Sequence, residues 1–239
     1  MLPVRIVVTG EPVESVFRER GNFAKLIREA VGDAWPGPWE EVDSRVDDLL
    51  ACGRDAGAVI VTGSPASVLE RAPWMLRTEE YLRREAARGT PILGVCFGHQ
   101  LLAQALGGEV QKNPNGREMG TVEVRVLRGD AVLDADALPF TANMTHVDSV
   151  VKLPVGAEVL GQTEKDPHAV VRFADKVWGV QFHPEITGDV MRGYVRARWE
   201  ILESEGLDPA DLLAASRDAD PGRSVLSRFV EQLGRPFPT

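Results

Sequence analysis

Gly94-Val95-Cys96-Phe97-Gly98-His99-Gln100 sets one cysteine between two glycines, at the junction of two differently patterned segments. Upstream, Thr90-Pro91-Ile92-Leu93-Gly94-Val95 is a short apolar run with a proline near its start, the pattern of a strand buried on both faces. Downstream, Leu101, Leu102, Ala105 and Leu106 recur at helical spacing until Gly107 and Gly108 close the pattern. The spacing predicts a strand, a tight turn carrying Cys96, and a helix. A nucleophile on such a turn often has a strained backbone, and Gly94 and Gly98 let neighbouring chain approach without a side-chain clash. The free amides of the helix N-terminus favour thiolate over thiol and suit acyl transfer. A buried structural cysteine is the plainer alternative.

A second segment weighs between them. Val177-Trp178-Gly179-Val180-Gln181-Phe182 alternates and is rich in β-formers, so another strand is expected, with His183-Pro184-Glu185 at its carboxyl end. Ligands of open parallel sheets gather outside the carboxyl ends of the strands, so both segments deliver polar residues to one edge. A cysteine attacking an amide needs a base for its proton and an acid for the leaving amine, and one histidine serves both steps. Glu185 faces the same side as His183 if strand geometry continues, and is expected to orient the imidazole. A strand-end histidine near a solvated glutamate is the blander alternative, and the elbow weighs against it.

These motifs resemble the class I, triad-type glutamine amidotransferases. GVCFGHQLLAQALGGEV around Cys96 and GVQFHPEIT around His183 carry the resemblance. Val61-Thr62-Gly63-Ser64-Pro65, Arg117-Glu118-Met119-Gly120 and Met144-Thr145-His146-Val147-Asp148 support it in order and spacing. Within the family the chain looks most like the glutaminase domain of GMP synthetases. The resemblance implies a flavodoxin-like α/β fold, with Cys96 as nucleophile, His183 as general acid/base and Glu185 orienting it. It implies attack on the glutamine side-chain amide, release of ammonia and hydrolysis of a γ-glutamyl thioester, with no cofactor and no metal.

The oxyanion donors implied are the backbone amides of Phe97 and Ser64. Ser64 lies in Gly63-Ser64-Pro65, where the family more often has Gly-Gly-Pro; a backbone amide does the work, provided that serine tolerates the required dihedrals. Substrate contacts are implied at Gly63, Gln100, Thr145, His146 and Val147. Val147 stands where glycine is usual, so a different local backbone or a different pocket shape is expected. Asp148 either binds the substrate amino group or caps the loop. His146 also follows a β-rich run, but only His183 is followed by Pro-Glu, so His183 is the expected base. His99 and His168 look like bystanders.

Composition agrees with an enzyme of this size. The 239 residues, 44% hydrophobic and 26% charged, suffice for one well-buried domain with an appendage. Two cysteines, Cys52 and Cys96, point to a reducing compartment rather than a disulfide scaffold. No apolar stretch is long enough to span a membrane, and residues 1–4 open a strand rather than a signal peptide, so a cytoplasmic protein is expected. A net charge of −9 argues against general nucleic-acid binding.

The fold class expected is α/β: a mostly parallel central sheet flanked by helices, a small antiparallel extension and a C-terminal helical tail. Strands are expected at 4–9 and 58–62, helices at 23–31 and 74–88, and shorter strands at 121–127, 140–142, 158–163 and 169–173. Helices are expected at 189–205, 209–216 and 223–233. Residues 1–188 form the amidotransferase domain in this reading, and residues 189–239 a helical extension packed on it. A Ser-Gly-Gly-x-Asp-Ser pyrophosphatase loop, a Gly-Lys-Ser/Thr loop and a Rossmann glycine fingerprint are absent from the sequence. The nitrogen acceptor would then be served by a separate ammonia-accepting synthase subunit. A free-standing hydrolase of γ-glutamyl compounds is the second reading. A non-catalytic regulatory module is the third, disfavoured by the complete Cys96, His183 and Glu185 set.

Overall fold

Runs of branched apolar residues become the strands that the sheet buries. The computed structural model describes residues 1–52, 55–133 and 139–234. The first half comprises β1 (Val4–Val8), α1 (Glu14–Arg20), α2 (Phe23–Val31), β2 (Trp39–Asp43), β3 (Ala58–Val61), α3 (Pro73–Ala87), β4 (Ile92–Val95) and α4 (Phe97–Ala105). Then follow β5 (Glu109–Lys112), β6 (Glu118–Val126), β7 (Phe140–His146), β8 (Asp148–Lys152), β9 (Glu158–Gln162), β10 (Val170–Ala174) and β11 (Val177–Val180). Four helices follow among the described residues: α5 (Gly188–Ala197), α6 (Trp199–Ser204), α7 (Pro209–Ala215) and α8 (Asp220–Glu231).

One sheet orders its strands β2-β1-β3-β4-β11-β10-β9-β6-β7. From β2 to β11 every pairing is parallel; from β11 to β7 every pairing is antiparallel. The antiparallel extension therefore continues the central sheet, while β5 and β8 form a separate two-stranded ribbon. β1, β3, β4 and β11 are buried throughout, as strands covered on both faces must be. Alternate side chains divide between two layers: Ile6 and Ile60 join α2 and α8 on one face, Val7 and Val61 join α3 and α4 on the other. Val225, Leu226, Phe229 and Val230 of α8 belong to the first of these cores.

The expected parallel strands and their helices form close to the predicted positions, and three details differ. Residues 189–205 are two helices, because Arg198 leaves helical geometry at φ −115° and ψ 16°. The strand ending in the His-Pro-Glu motif stops at Val180, not at residue 182. β7 runs on to His146, so Thr145 and His146 are strand residues whose partners are fixed by pairing with β6. The short α1 and the charged edge strands β2, β5 and β8 carry too little apolar periodicity to be read from sequence. Residues 235–239 of the expected extension lie outside the described residues. No helix among the described residues is long and apolar enough to cross a membrane.

Candidate active site

Register brings the two motifs together. Val95 of β4 pairs with Val180 of β11, so Cys96 and Gln181 leave the sheet side by side, and the Cys96 amide donates to the Val180 carbonyl at 2.8 Å. Cys96 then adopts φ 50° and ψ −101°, a left-handed backbone costing about 1–3 kcal/mol in a non-glycine residue. It persists because both flanks are clamped. A Cβ on Gly94 would lie 2.5 Å from the Gly98 carbonyl oxygen, and one on Gly98 would lie 2.5 Å from that of Val61. The turn therefore needs both glycines.

His183 and Glu185 lie beyond β11, nearly without solvent exposure. His183 Nδ1 and Glu185 Oε1 are 2.7 Å apart. The pair meets through a turn, the Ile186 amide donating to the His183 carbonyl at 3.2 Å, and not through the alternation of a continuing strand. That corrects the expected route: strand geometry ends at Val180, and Pro184, with its fixed φ and no amide to donate, sits in the turn between His183 and Glu185. Phe23 stacks on the imidazole at 5.9 Å, and the His183 amide donates to the Asn143 carbonyl at 2.8 Å.

Charge settles the remaining ring nitrogen. Burial opposes an imidazolium, but the negative charges of Glu185 and Cys96 outweigh it and push His183 up to about 10. Burial likewise opposes a thiolate, and the His183 charge and its hydrogen bond to Cys96 outweigh it, holding the thiol below its usual range. Both shifts favour negative charge on Cys96 and positive charge on His183, and Glu185 holds Nδ1 of the ring.

Phe97 and Ser64 line the same cavity as Cys96. Phe97 is the first residue of α4, where the amide has no partner within the helix. Ser64 is outside the left-handed region, so serine meets the dihedral requirement at that position, and its hydroxyl donates to the Thr9 carbonyl at 2.8 Å. Gly63 packs against His183, its carbonyl accepting from Thr9 and Thr62 hydroxyls at 3.0 Å each. Val147 also avoids positive φ, lying in the bend between β7 and β8 with its carbonyl accepting from the Asn113 amide at 2.8 Å.

A cavity of about 390 Å³ has Cys96, Phe97, Ser64, Gln100, Thr145, His146, Val147 and Asp148 in its walls. Gln100 is buried and donates to the Asp148 carbonyl at 2.7 Å and to Gln181 Oε1 at 3.0 Å. Gln181 in turn places Nε2 3.5 Å from Cys96 Sγ. Asp148 accepts from the Ser67 hydroxyl. A smaller chamber of about 80 Å³, walled by His183, Phe23 and Tyr194, shares Ser64, Pro65, Thr145 and Arg198 with the larger one.

His146 is engaged on both nitrogens: Nε2 faces Glu118 Oε2 and Nδ1 faces the Asp148 carbonyl, each at 3.0 Å. Two acceptors favour a proton on each ring nitrogen, with the Ser149 hydroxyl also 3.4 Å from Nδ1. Burial opposes that charge; the hydrogen bond to Glu118 and the nearby Asp166 outweigh it and raise its pKa. His99 is buried against Phe173 and burial pushes it down to about 3, and His168 bonds the Val150 carbonyl at 2.7 Å, so neither faces Cys96.

Sequence reading missed Gln181, Glu118 and Arg198. The Gln in GVQFHPE and the Glu in REMG lay inside quoted motifs without an assigned contact. Arg198 had no local signal; it bonds Thr145 Oγ1 and sits over the Tyr194 ring at 5.1 Å.

Comparison with known proteins places this geometry. The family described as Glutamine amidotransferase class-I matches residues 38–198, more than half of the chain. The chain is 36% identical over 215 residues to GMP synthase [glutamine-hydrolyzing] of Aeropyrum pernix, covering 89% of this chain and 38% of that protein. The corresponding enzyme of Thermosipho africanus is 36% identical over 172 residues, covering 71% of this chain and 29% of the relative. The chain thus spans well under half the length of these relatives. Among solved structures, a glutamine amidotransferase from Thermotoga maritima superposes with TM-score 0.70 at 21% identity, over 96% of each chain, which bears on the fold alone. A glutamine amido transferase from Methylobacillus Flagellatus gives TM-score 0.70 at 25% identity, over 98% of this chain and 92% of its own. With the match over most of its length and the relatives at 36% identity, the chain belongs to the class I glutamine amidotransferase family.

Proposed function

We propose that the protein hydrolyses the side-chain amide of glutamine, or of a γ-glutamyl compound, through a Cys96 thioester. The buried His183–Glu185 contact beside Cys96, with charges that lower the thiol and raise the imidazole, carries this reading. Cys96 Sγ adds to the amide carbon, and the amides of Phe97 and Ser64 receive the oxyanion. As the tetrahedral adduct collapses the C–N bond breaks, and His183 gives its proton to the leaving nitrogen. Neutral His183 then takes a proton from water, whose oxygen attacks the thioester; the C–S bond breaks, glutamate leaves and the thiolate returns. One water is consumed, and the products are glutamate and ammonia or an amine.

Gln100, Gly63 and the Thr145-His146-Val147 segment complete the substrate site in this reading. Gly63 makes room for the imidazole, His146 supplies fixed positive charge, and Val147 and Thr145 shape the wall. The helices from residue 189 onward form an extension of the same domain, supported by the place of α8 in the core. A thiolate nucleophile suits a reducing compartment, so the cytoplasm is the proposed location.

The test compares wild type with Cys96→Ala on glutamine, measuring ammonia and glutamate and trapping the acyl-enzyme by mass spectrometry. Wild type is expected to turn over and to carry a γ-glutamyl adduct on Cys96, and the variant to do neither. A wild type that never acylates on glutamine or any γ-glutamyl compound would sink the proposal. Because the relatives named as glutamine-hydrolysing GMP synthases extend well beyond the matched region, the ammonia is proposed to pass to a separate synthase subunit. Stimulation of glutamine hydrolysis by an added synthase would support that, and indifference to every synthase offered would count against it.

A further inference from the structure

His183 is not the sole donor that reaches Cys96. Register sets Gln181 beside the cysteine, since Val95 pairs with Val180 and both segments leave the sheet together. The Gln181 amide donates to the Ala169 carbonyl at 2.8 Å, which pins its backbone, and its side chain is wholly buried with Nε2 3.5 Å from Cys96 Sγ. Cys96 lines the larger chamber and His183 the smaller, whereas Gln181 is in the wall of neither. It therefore meets the sulfur from the protein side.

A run of one-way hydrogen bonds fixes which end of that amide faces the sulfur. The Asp148 carbonyl can only accept, so the Gln100 atom 2.7 Å from it is the amide nitrogen. The second N–H of that nitrogen meets Gln181 at 3.0 Å and needs an oxygen there, Oε1. This leaves the Gln181 nitrogen, which can only donate, against Sγ. A donor held to sulfur favours its ionised form, because the bond to a charged acceptor is the stronger. The charged and titratable groups around the sulfur are His183, His146, Glu185, Tyr194 and Arg198. His183 surrenders its proton to the leaving nitrogen in every cycle. Gln181 does not titrate, so its N–H stays available throughout.

We infer that Gln181 is a catalytic hydrogen-bond donor to the Cys96 sulfur, and that Gln100 positions it by fixing the orientation of its amide. The inference rests on the cysteine hydrolase reading above. The donor acts twice. Before attack it holds the ionised sulfur in place, and in the second step it meets the charge that returns to sulfur as the water oxygen bonds to carbon and the C–S bond breaks. An uncharged thioester sulfur is a weak acceptor, so the N–H contact strengthens as that bond breaks. No proton moves to or from Gln181.

The pH midpoint of Cys96 alkylation by iodoacetamide reads the thiol without turnover, followed by mass on the Cys96 peptide so that half-buried Cys52 does not contribute. Gln181→Met keeps the length of the side chain and removes the donor. It is expected to raise the midpoint by about one to two pH units. On glutamine it should lower kcat about tenfold to a hundredfold with little change in KM, since Gln181 lies outside the cavity walls. Gln100→Met leaves the Gln181 amide free to turn and should give a smaller rise in the midpoint. If Gln181→Met fails to fold by circular dichroism, Gln100→Met decides, since its midpoint must still rise. A folded variant with an unmoved midpoint, or a loss in Gln181→Met confined to KM, overturns the inference, while glutamine turnover or a Cys96 acyl adduct in wild type preserves the hydrolase reading. Absence of any Cys96-dependent reaction removes both.

Discussion

Glu185 Oε1 lies 2.7 Å from His183 Nδ1, and neither residue has more than 4% of its surface exposed. A carboxylate buried this way stabilises positive charge on the ring and fixes its plane, leaving the other nitrogen for Cys96. The turn through Pro184 makes this possible across only two residues. Local sequence thus builds half of the site, and sheet register builds the rest.

The pH profile should report that pairing. The reactive form has Cys96 ionised and His183 protonated. It is lost as pH falls through the lowered pKa of Cys96, and lost as pH rises through the His183 value of about 10. The alkaline limb of kcat/KM should therefore lie near pH 10. Glu185→Gln removes the largest of the charges that raise His183 while burial remains, so that limb should move to lower pH and kcat should drop about 10³-fold or more. An unmoved alkaline limb would contradict the assignment.

Gly63 sets the position of the imidazole. A Cβ there would lie 2.7 Å from His183 Cε1, and the backbone is not left-handed, so Gly63→Ala acts by contact alone. Displacing the ring by a few tenths of an ångström to one ångström should lower kcat/KM by about 10²-fold. Thermal unfolding should change little, and steady-state kinetics beside a melting curve checks both.

His146 holds Glu118 in the interior at 3.0 Å, with Thr163 Oγ1 donating to the same carboxylate oxygen at 3.0 Å. His146→Gln leaves that carboxylate without its counter-charge and should cost about 3 kcal/mol or more in chemical denaturation. It should also raise the pH midpoint of Cys96 alkylation, because the His146 charge is among those that lower the thiol. A variant with unaltered stability and midpoint would show His146 to be neutral in the native protein.

Helix α8 tests the unity of the domain. Phe229 is fully buried and meets Trp178 edge-on at 6.2 Å, next to the strand that delivers Gln181 and His183. Phe229→Ala should cost about 3–5 kcal/mol. If residues 189–234 belong to one cooperative unit, calorimetry should show a single transition shifted down. A separate low-temperature transition would mark an independent extension.

The elbow was legible because every part of it is local: an apolar run, two glycines whose missing side chains are needed, and a helical repeat. The His-Pro-Glu motif was legible as a pair, but its geometry was not, since nothing local says that β11 ends at Val180. Glu118 and His146 stand opposite each other only because β6 and β7 pair in that register. Two strand residues so far apart in sequence carry no mark of their partnership.

Sequence by itself determined the alternation of strands and helices, the strained cysteine turn and the residue types of a thiolate–imidazolium–carboxylate chain, because periodicity and turn chemistry act over a few residues. Tertiary structure decided the rest. Packing stripped water from Cys96, His183 and Glu185 so that mutual charge outweighs burial, set His146 against Glu118 so that its pKa rises, and broke a helix at Arg198, which lines the cavity. Those outcomes depend on which distant groups share a low-dielectric space, and no local pattern encodes that.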